Sequence, residues 1–164
     1  MMDKDEASLV PLVVSGNKPL VYLAGPITGQ SYAQAVYWRI TAAETLAGVA
    51  DCLSPMRGKY HLREETNIRM FYEDYKANPS AILFQDRFDV NRADVIFANC
   101  QGAAQVSIGT ILEIGWATAQ NKPVILVLDE EDKWHDHKML TESCWVFRDF
   151  TEAVIALQQL VSIG

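Results

Sequence analysis

A carboxylate inside an apolar helix is the most unusual chemical feature of this sequence. Glu113 lies in the segment SIGTILEIGWA, between Ile111, Leu112, Ile114 and Trp116. A helix that is apolar on all sides is buried, and an unpaired carboxylate there costs several kcal/mol. Glu113 is therefore either a structural cap of a helix N-terminus or a catalytic carboxylate that faces a cleft. We favour the catalytic interpretation, because perturbed acids concentrate at functional sites.

Three aspartates in the segment FQDRFDVNRAD are candidates for a second acid. Asp86 lies among apolar residues of a predicted helix, where an exposed acid would be unusual. Asp89 is expected on the solvated face of that helix, and Asp94 at its turn into the next strand. Asp86 could therefore pair with Glu113 in general acid and base chemistry.

The segment YLAGPITG has two possible interpretations. It could cradle a phosphate with backbone N–H groups at a helix N-terminus, or it could be a tight turn that requires Gly25. It contains neither GxGxxG nor GxxxxGK[ST], which disfavours a dinucleotide site and a P-loop.

The histidines do not form a metal-binding pattern. His135, Asp136 and His137 are adjacent, but there is no HExxH motif and His61 lies in a different segment. The acidic run 129–132 lacks the spacing of a calcium loop and is expected to be solvated. We predict no metal and no cofactor.

Strands and helices alternate along the chain. Apolar runs predict strands at 19–24, 49–53, 94–98, 123–128 and 144–147, and helical periodicity predicts helices after the first strand, at 80–93, at 109–121 and after residue 151. This alternation is typical of an α/β fold with a doubly wound, flavodoxin-like or Rossmann-like parallel sheet and flanking helices. Ligands of such sheets bind over the carboxyl ends of the strands, here the segments 22–28, 99–109 and 129–139.

Length and charge limit the domain count and the partners. The chain has 164 residues and a net charge of -7, which fits one domain and disfavours a nucleic-acid polymer or a membrane surface as partner. A local pair such as Arg57 and Lys59 could still bind a small phosphorylated ligand. We expect residues 1–17 to be a loosely held extension and residues 18–164 to form the domain. Three widely spaced cysteines and the lack of a targeting segment predict a cytoplasmic location.

Taken in order, five segments resemble the nucleoside 2-deoxyribosyltransferase family: YLAGPITG, LSPMRGK, FQDRFDVNRADVIFAN, VSIGTILEIGWA and KPVILV. The resemblance covers roughly residues 19–149. It implies a doubly wound α/β domain that assembles as a homo-oligomer, commonly a dimer of dimers. It also implies cleavage of the N-glycosidic bond of 2′-deoxynucleosides.

The resemblance assigns roles to the three catalytic candidates. Glu113 resembles the nucleophile that attacks C1′ of the deoxyribose, and Tyr22 the tyrosine that hydrogen-bonds this nucleophile. Asp86 matches the aspartate that exchanges a proton with the nucleobase. We expect burial to raise the pKa of Asp86, while the Tyr22 hydroxyl and the helix N-terminus keep Glu113 ionised.

The resemblance leaves the substrate open. Some family members place an aspartate six residues before the nucleophile for the sugar 5′-hydroxyl, whereas this chain has Ser107 there, as related 5′-monophosphate N-glycosidases do. His137 stands nearest an amide that the family borrows from a neighbouring subunit. The residues expected to bind substrate are Gly25, Pro26, Arg57, Asp89, Ser107, Gly109 and His137.

Three functions remain open from the sequence. The first is transfer of 2-deoxyribose between nucleobases, and the second is hydrolysis of a nucleoside 5′-monophosphate. The third is a non-catalytic nucleotide sensor, which the joint presence of Glu113, Asp86 and Tyr22 disfavours. The expected partners are a nucleoside or nucleotide, a free nucleobase and further copies of the chain.

Overall fold

A computed structural model of the protein describes residues 16–69 and 78–163. Residues 1–15 of the predicted extension lie outside the described residues. The strands are β1 (Leu20–Ala24), β2 (Asp51–Leu53), β3 (Val95–Asn99), β4 (Val124–Val127) and β5 (Trp145–Phe147), and the helices are α1 (Tyr32–Leu46), α2 (Pro79–Arg92), α3 (Ile108–Ala119), α4 (Lys138–Thr141) and α5 (Phe150–Ser162).

The five strands form one parallel sheet in the order β2-β1-β3-β4-β5. The chain moves outward from β1 to β2 on one side and then returns to β3 on the other side of β1. The order therefore reverses between β1 and β3, which is the place where such sheets bind ligands. The predicted fold class, a doubly wound α/β sheet, is confirmed.

Each face of the sheet is covered by two helices, which explains why β1, β3 and β4 are buried along their whole length and consist mostly of apolar residues. Alternate strand residues, such as Leu23 and Phe97, pack with α1 and α5 on one face. Their neighbours, such as Tyr22 and Ile96, pack with α2 and α3 on the other. Tyr22 and Glu113 therefore lie on the same side of the sheet.

The polar segment after β2 folds onto the turn that follows β1. Met56, Leu62 and Ile68 pack against the first turns of α1. The backbone N–H groups of Gly29 and Ile68 donate to the carbonyls of Ile68 and Gln30, at 2.8 and 2.7 Å. Part of this segment thus forms a wall beside the carboxyl end of β1.

Cys52, Cys100 and Cys144 are free thiols. Within residues 16–69 and 78–163, every helix is too short or too polar to cross a membrane.

Candidate active site

A cavity of about 540 Å³ opens beside the carboxyl ends of β1 and β3. This volume lies within the range of small-molecule sites, roughly 300–1,000 Å³. Its walls come from the turn after β1, the segment after β2, one side of α2 and the loop that leads into α3. The residues predicted for the site that line the cavity are Gly25, Pro26, Asp86, Ser107, Gly109 and Glu113.

Glu113 lies in the second turn of α3, where its side chain lines the cavity and is 6% exposed. The Tyr22 hydroxyl donates to Glu113 Oε1 at 2.7 Å. Tyr22 is fully buried on β1, so the sheet fixes the position of its ring. Ser107, and not Glu113, caps the N-terminus of α3. The hydrogen bond instead holds the carboxylate in one rotamer, as the resemblance implies for Tyr22.

Burial shifts the pKa values of both acids. It raises the pKa of Glu113 to about 8, and the negative charge of Asp86 adds to the rise. The hydrogen bond from Tyr22 and the charges of Arg39 and Lys59 oppose it. Burial also raises the pKa of Asp86. The rise for Asp86 agrees with the prediction. For Glu113 the balance differs from the prediction, because desolvation outweighs the hydrogen bond from Tyr22 and raises the pKa.

The raised pKa of Glu113 predicts a dependence of stability on pH. Its pKa rises from an ordinary value of 4.5 to about 8 in the folded chain, so between these values the folded protein holds a proton that the unfolded chain has lost. The contribution of Glu113 to the free energy of unfolding is therefore complete below pH 4.5 and is lost as the pH rises through about 8. We expect the melting temperature of Glu113→Gln, relative to wild type, to increase between about pH 5 and about pH 8. Calorimetry of both proteins across this range checks the result, and a constant difference would contradict it.

Lys59 and Asp86 both line the cavity. The attraction of Lys59 is the largest influence that lowers the pKa of Asp86, against the rise from burial. In turn, burial lowers the pKa of Lys59 while the charge of Asp86 supports its protonated form. Among the described residues, the cavity wall combines the acids Asp86 and Glu113 with the cation Lys59, which stabilises an anionic Asp86 or an anionic ligand group.

Ser107 lines the cavity and is the N-cap of α3. Its Oγ accepts from the backbone N–H of Thr110 at 3.4 Å and lies 2.9 Å from Thr110 Oγ1. Its own N–H donates to His135 Nε2 at 3.0 Å. The next residues, Ile108 and Gly109, also line the cavity, and the first N–H groups of a helix have no intrahelical acceptor. The donors toward a ligand are therefore the Ser107 hydroxyl and these N–H groups.

Three predicted binding residues do not line the cavity. Asp89 is fully buried, with Oδ2 2.5 Å from Arg57 and Oδ1 2.8 Å from Arg92. The expectation of a solvated position for Asp89 is wrong, because Arg57 from the segment after β2 reaches it. Asp89 and Arg57 instead tie α2 to that segment. His137 is exposed, and its Nδ1 accepts from Met139 N to cap α4.

Two glycine positions differ in what they require. A Cβ at Gly25 would lie 2.6 Å from the Asn99 carbonyl oxygen and 2.9 Å from the ring of Trp38. Close approach of β1, β3 and α1 therefore excludes a side chain there. A Cβ at Gly109 would meet only open space, so the role of Gly109 at the cavity is not one of packing.

Arg39 supports the site without having been predicted. Its guanidinium is fully buried and donates to the carbonyls of Leu23 and Gly25, at 3.0 and 2.9 Å, and to that of Ala35. It fixes the backbone where β1 becomes the cavity wall, and its charge lowers the pKa of Glu113. The sequence feature that could have indicated this role is the position of Arg39, a charged residue, among the buried residues of α1.

The comparisons with known proteins agree with this architecture. The family model of nucleoside 2-deoxyribosyltransferase matches residues 21–151. No curated protein sequence matches the chain significantly.

Three solved structures are similar at low sequence identity. The 2-deoxyribosyltransferase of Bacillus psychrosaccharolyticus is 18% identical with a TM-score of 0.58, over 85% of this chain and 95% of that one. The CMP N-glycosidase BcmB of Clostridium botulinum is 20% identical with a TM-score of 0.50, over 84% and 97%. A molybdenum cofactor binding protein of Rippkaea orientalis is 14% identical with a TM-score of 0.51, over 88% and 98%. These likenesses show the fold.

The family match spans most of the chain, from the second residue of β1 to the second residue of α5. It includes the turn after β1, α2 and α3, from which the cavity is built. The resemblance inferred from the five sequence segments is thereby confirmed. This chain belongs to the nucleoside 2-deoxyribosyltransferase family.

Proposed function

We propose that the protein breaks the N-glycosidic bond of a 2′-deoxynucleoside and transfers the 2-deoxyribose to a second nucleobase through a covalent bond to Glu113. The observation that carries this proposal is the hydrogen bond from Tyr22 to Glu113 at a cavity that Asp86 also lines. Family membership supports the reaction class. No cofactor is needed, because the two carboxyl groups supply both the nucleophile and the proton.

The proposed first step exchanges one bond for another. An oxygen of Glu113 bonds to C1′ as the bond from C1′ to the base nitrogen breaks, and the base leaves with a proton from Asp86. A carboxylate suits this step because the transition state is oxocarbenium-like and carries positive charge near C1′. In the second step, a nitrogen of another base attacks C1′, Glu113 leaves, and Asp86 recovers a proton.

The protonation of the site supports this division of roles. The reaction requires one proton on the pair, with Glu113 ionised and Asp86 neutral when the bond breaks. Both pKa values are raised and the charge of Asp86 raises that of Glu113, so the pair tends to keep a shared proton at neutral pH. Positive charge that develops on the sugar would favour the arrangement in which Glu113 is the anion.

Hydrolysis of a nucleoside 5′-monophosphate to base and sugar phosphate is the second candidate. The observation that favours it is the Ser107 hydroxyl beside the N-terminus of α3, since hydrogen-bond donors at a helix N-terminus favour an anion. Lys59 adds a positive charge to the same cavity. In this reaction water, instead of a second base, would release the sugar from Glu113.

The Ser107 position decides between the two substrate classes. We expect a deoxynucleoside 5′-monophosphate to bind at least as well as the matching deoxynucleoside, and Ser107→Asp to reverse this order. The aspartate would repel a phosphate and accept from a free 5′-hydroxyl. Calorimetric titration of both ligands into both proteins measures the effect, with Ser143→Asp in the exposed turn after α4 as the control. Phosphate recognition at Ser107 is refuted if wild type does not bind the monophosphate and Ser107→Asp changes the affinity for neither ligand.

One assay separates the candidate functions. A deoxynucleoside or its 5′-monophosphate is incubated with the protein and a different free base, and the products are resolved by chromatography. Transfer yields a new deoxynucleoside, hydrolysis yields free base and free sugar or sugar phosphate, and a sensor leaves the substrate unchanged. The proposal requires the new deoxynucleoside to form in proportion to the added base.

We also propose that α2 and α3 form an interface between copies of the chain. These neighbouring helices carry exposed apolar side chains, with Phe84 69%, Phe88 63% and Ile108 64% exposed. Exposed apolar surface of this kind marks an interaction site. We expect Phe84→Glu to reduce the assembled fraction in sedimentation velocity, whereas Ile155→Glu on α5, across the sheet, leaves it unchanged. Equal sedimentation of all three proteins as monomers would refute the interface.

A further inference from the structure

The three residues His135, Asp136 and His137 follow β4 and have separate structural roles. Asp136 pairs with Arg148 at 2.6 Å, and His137 caps α4. His135 differs from both because its side chain is fully buried and directed at the cavity wall. A fully buried histidine that contacts the backbone of a cavity residue needs an explanation beyond packing.

The hydrogen bonds of His135 determine its tautomer. Nε2 accepts from the backbone N–H of Ser107 at 3.0 Å. A neutral imidazole has one acceptor nitrogen and one N–H group, so the proton lies on Nδ1. Nδ1 is 3.6 Å from Asp132 Oδ2 and has no hydrogen-bond partner within the described residues. The Asp132 carboxylate also accepts from the backbone N–H groups of Trp134 and His135, which holds it beside the ring.

We propose that His135 is a positioning residue that fixes the Ser107 turn in the orientation that binds substrate. The inference rests on the proposed function, since it assigns the Ser107 turn to substrate binding. Because His135 accepts from the Ser107 N–H, the turn is held with the Ser107 hydroxyl and the N-terminus of α3 facing the cavity. The chain of contacts runs from Asp132 through His135 to Ser107, and it connects the loop after β4 to the wall that follows β3.

This arrangement predicts an effect on binding more than on the chemical step. Without His135 the Ser107 N–H loses its acceptor, and the turn must shift to satisfy it. Glu113 lies further along α3 and is held separately by Tyr22 on β1. Loss of the hydrogen bond between His135 and Ser107 should therefore raise KM, while kcat changes less.

Two amide variants test the geometry without removing polarity. The amide of glutamine can reach the place of Nε2 and accept from Ser107, whereas that of asparagine reaches only the place of Nδ1. We expect His135→Asn to raise KM about tenfold with kcat changed by less than about threefold, and His135→Gln to keep KM within about threefold of wild type. KM is measured for the best substrate among the common 2′-deoxynucleosides and their 5′-monophosphates. If none is turned over, the dissociation constants of the same compounds are ranked instead.

A measurement on the wild-type protein completes the test. Nuclear magnetic resonance of ¹⁵N-labelled protein should show a coupling across the hydrogen bond between the Ser107 amide and the His135 ring, with the ring proton on Nδ1. Absence of this coupling, or equal KM values for the two variants, would overturn the role of His135 even in an active enzyme. Absence of any turnover contradicts the proposed function alone, and the ranked dissociation constants with the coupling still decide on His135.

Discussion

Replacement of Glu113 by alanine is expected to lower turnover by several orders of magnitude and to leave the fold intact. The loss should be large because Glu113 is proposed to form the bond to C1′, and removal of a nucleophile that acts with a second group abolishes most of the rate enhancement. We expect the buried site to tolerate the change, because removal of a carboxylate whose burial is unfavourable offsets the loss of the acceptor of the Tyr22 hydroxyl. Turnover is measured by chromatography of the released base, and circular dichroism reports on the fold.

A matched control separates this effect from a general loss of negative charge. Glu152 lies exposed in the first turn of α5, on the opposite face of the sheet. Glu152→Ala should retain turnover within about threefold, because a surface substitution away from the site changes little. Retention of substantial turnover in Glu113→Ala would exclude Glu113 as the nucleophile.

The second large effect is expected for Asp86→Asn and depends on the leaving base. Asparagine cannot protonate the departing base. Substrates whose base forms an unstable anion should therefore lose most of their kcat/KM. Bases that form stable anions need little protonation and should be affected far less. The substrates for comparison are 2′-deoxyuridine and its 5-fluoro and 5-nitro derivatives, with kcat/KM measured for wild type and variant.

The slope of rate against the acidity of the base is the informative quantity. We expect the slope to become steeper in Asp86→Asn than in wild type. An equal loss for all three substrates would assign Asp86 a structural role only. Turnover by wild type that is itself independent of the base would place the slow step after departure of the base.

The parts of this protein that follow from local sequence could be predicted. The apolar runs of β1, β3 and β4 predict a parallel sheet because both faces are covered, and this is observed. The burial of Glu113 follows from the apolar residues around it in α3. The position of the site follows from topology, since the strand order reverses between β1 and β3.

The parts that depend on distant partners could not be predicted. Asp89 lies on a largely polar helix, and its burial depends on Arg57, which comes from another segment. His135 has a role only because the loop after β4 meets the loop after β3. The raised pKa of Glu113 depends on how completely burial removes water, which the sequence does not specify.

Trapping the covalent intermediate tests the proposed role of Glu113 without any substitution in the chain. A 2′-fluoro-2′-deoxyarabinonucleoside is suited to this, because fluorine destabilises the oxocarbenium-like transition state and slows release of the sugar from the enzyme. The protein is incubated with this compound, digested and examined by mass spectrometry. The proposed mechanism predicts one fluorinated sugar per chain, on the peptide containing Glu113, with no adduct in Glu113→Ala. An adduct on another residue, or release of the base by wild type with no adduct at any time, would contradict it.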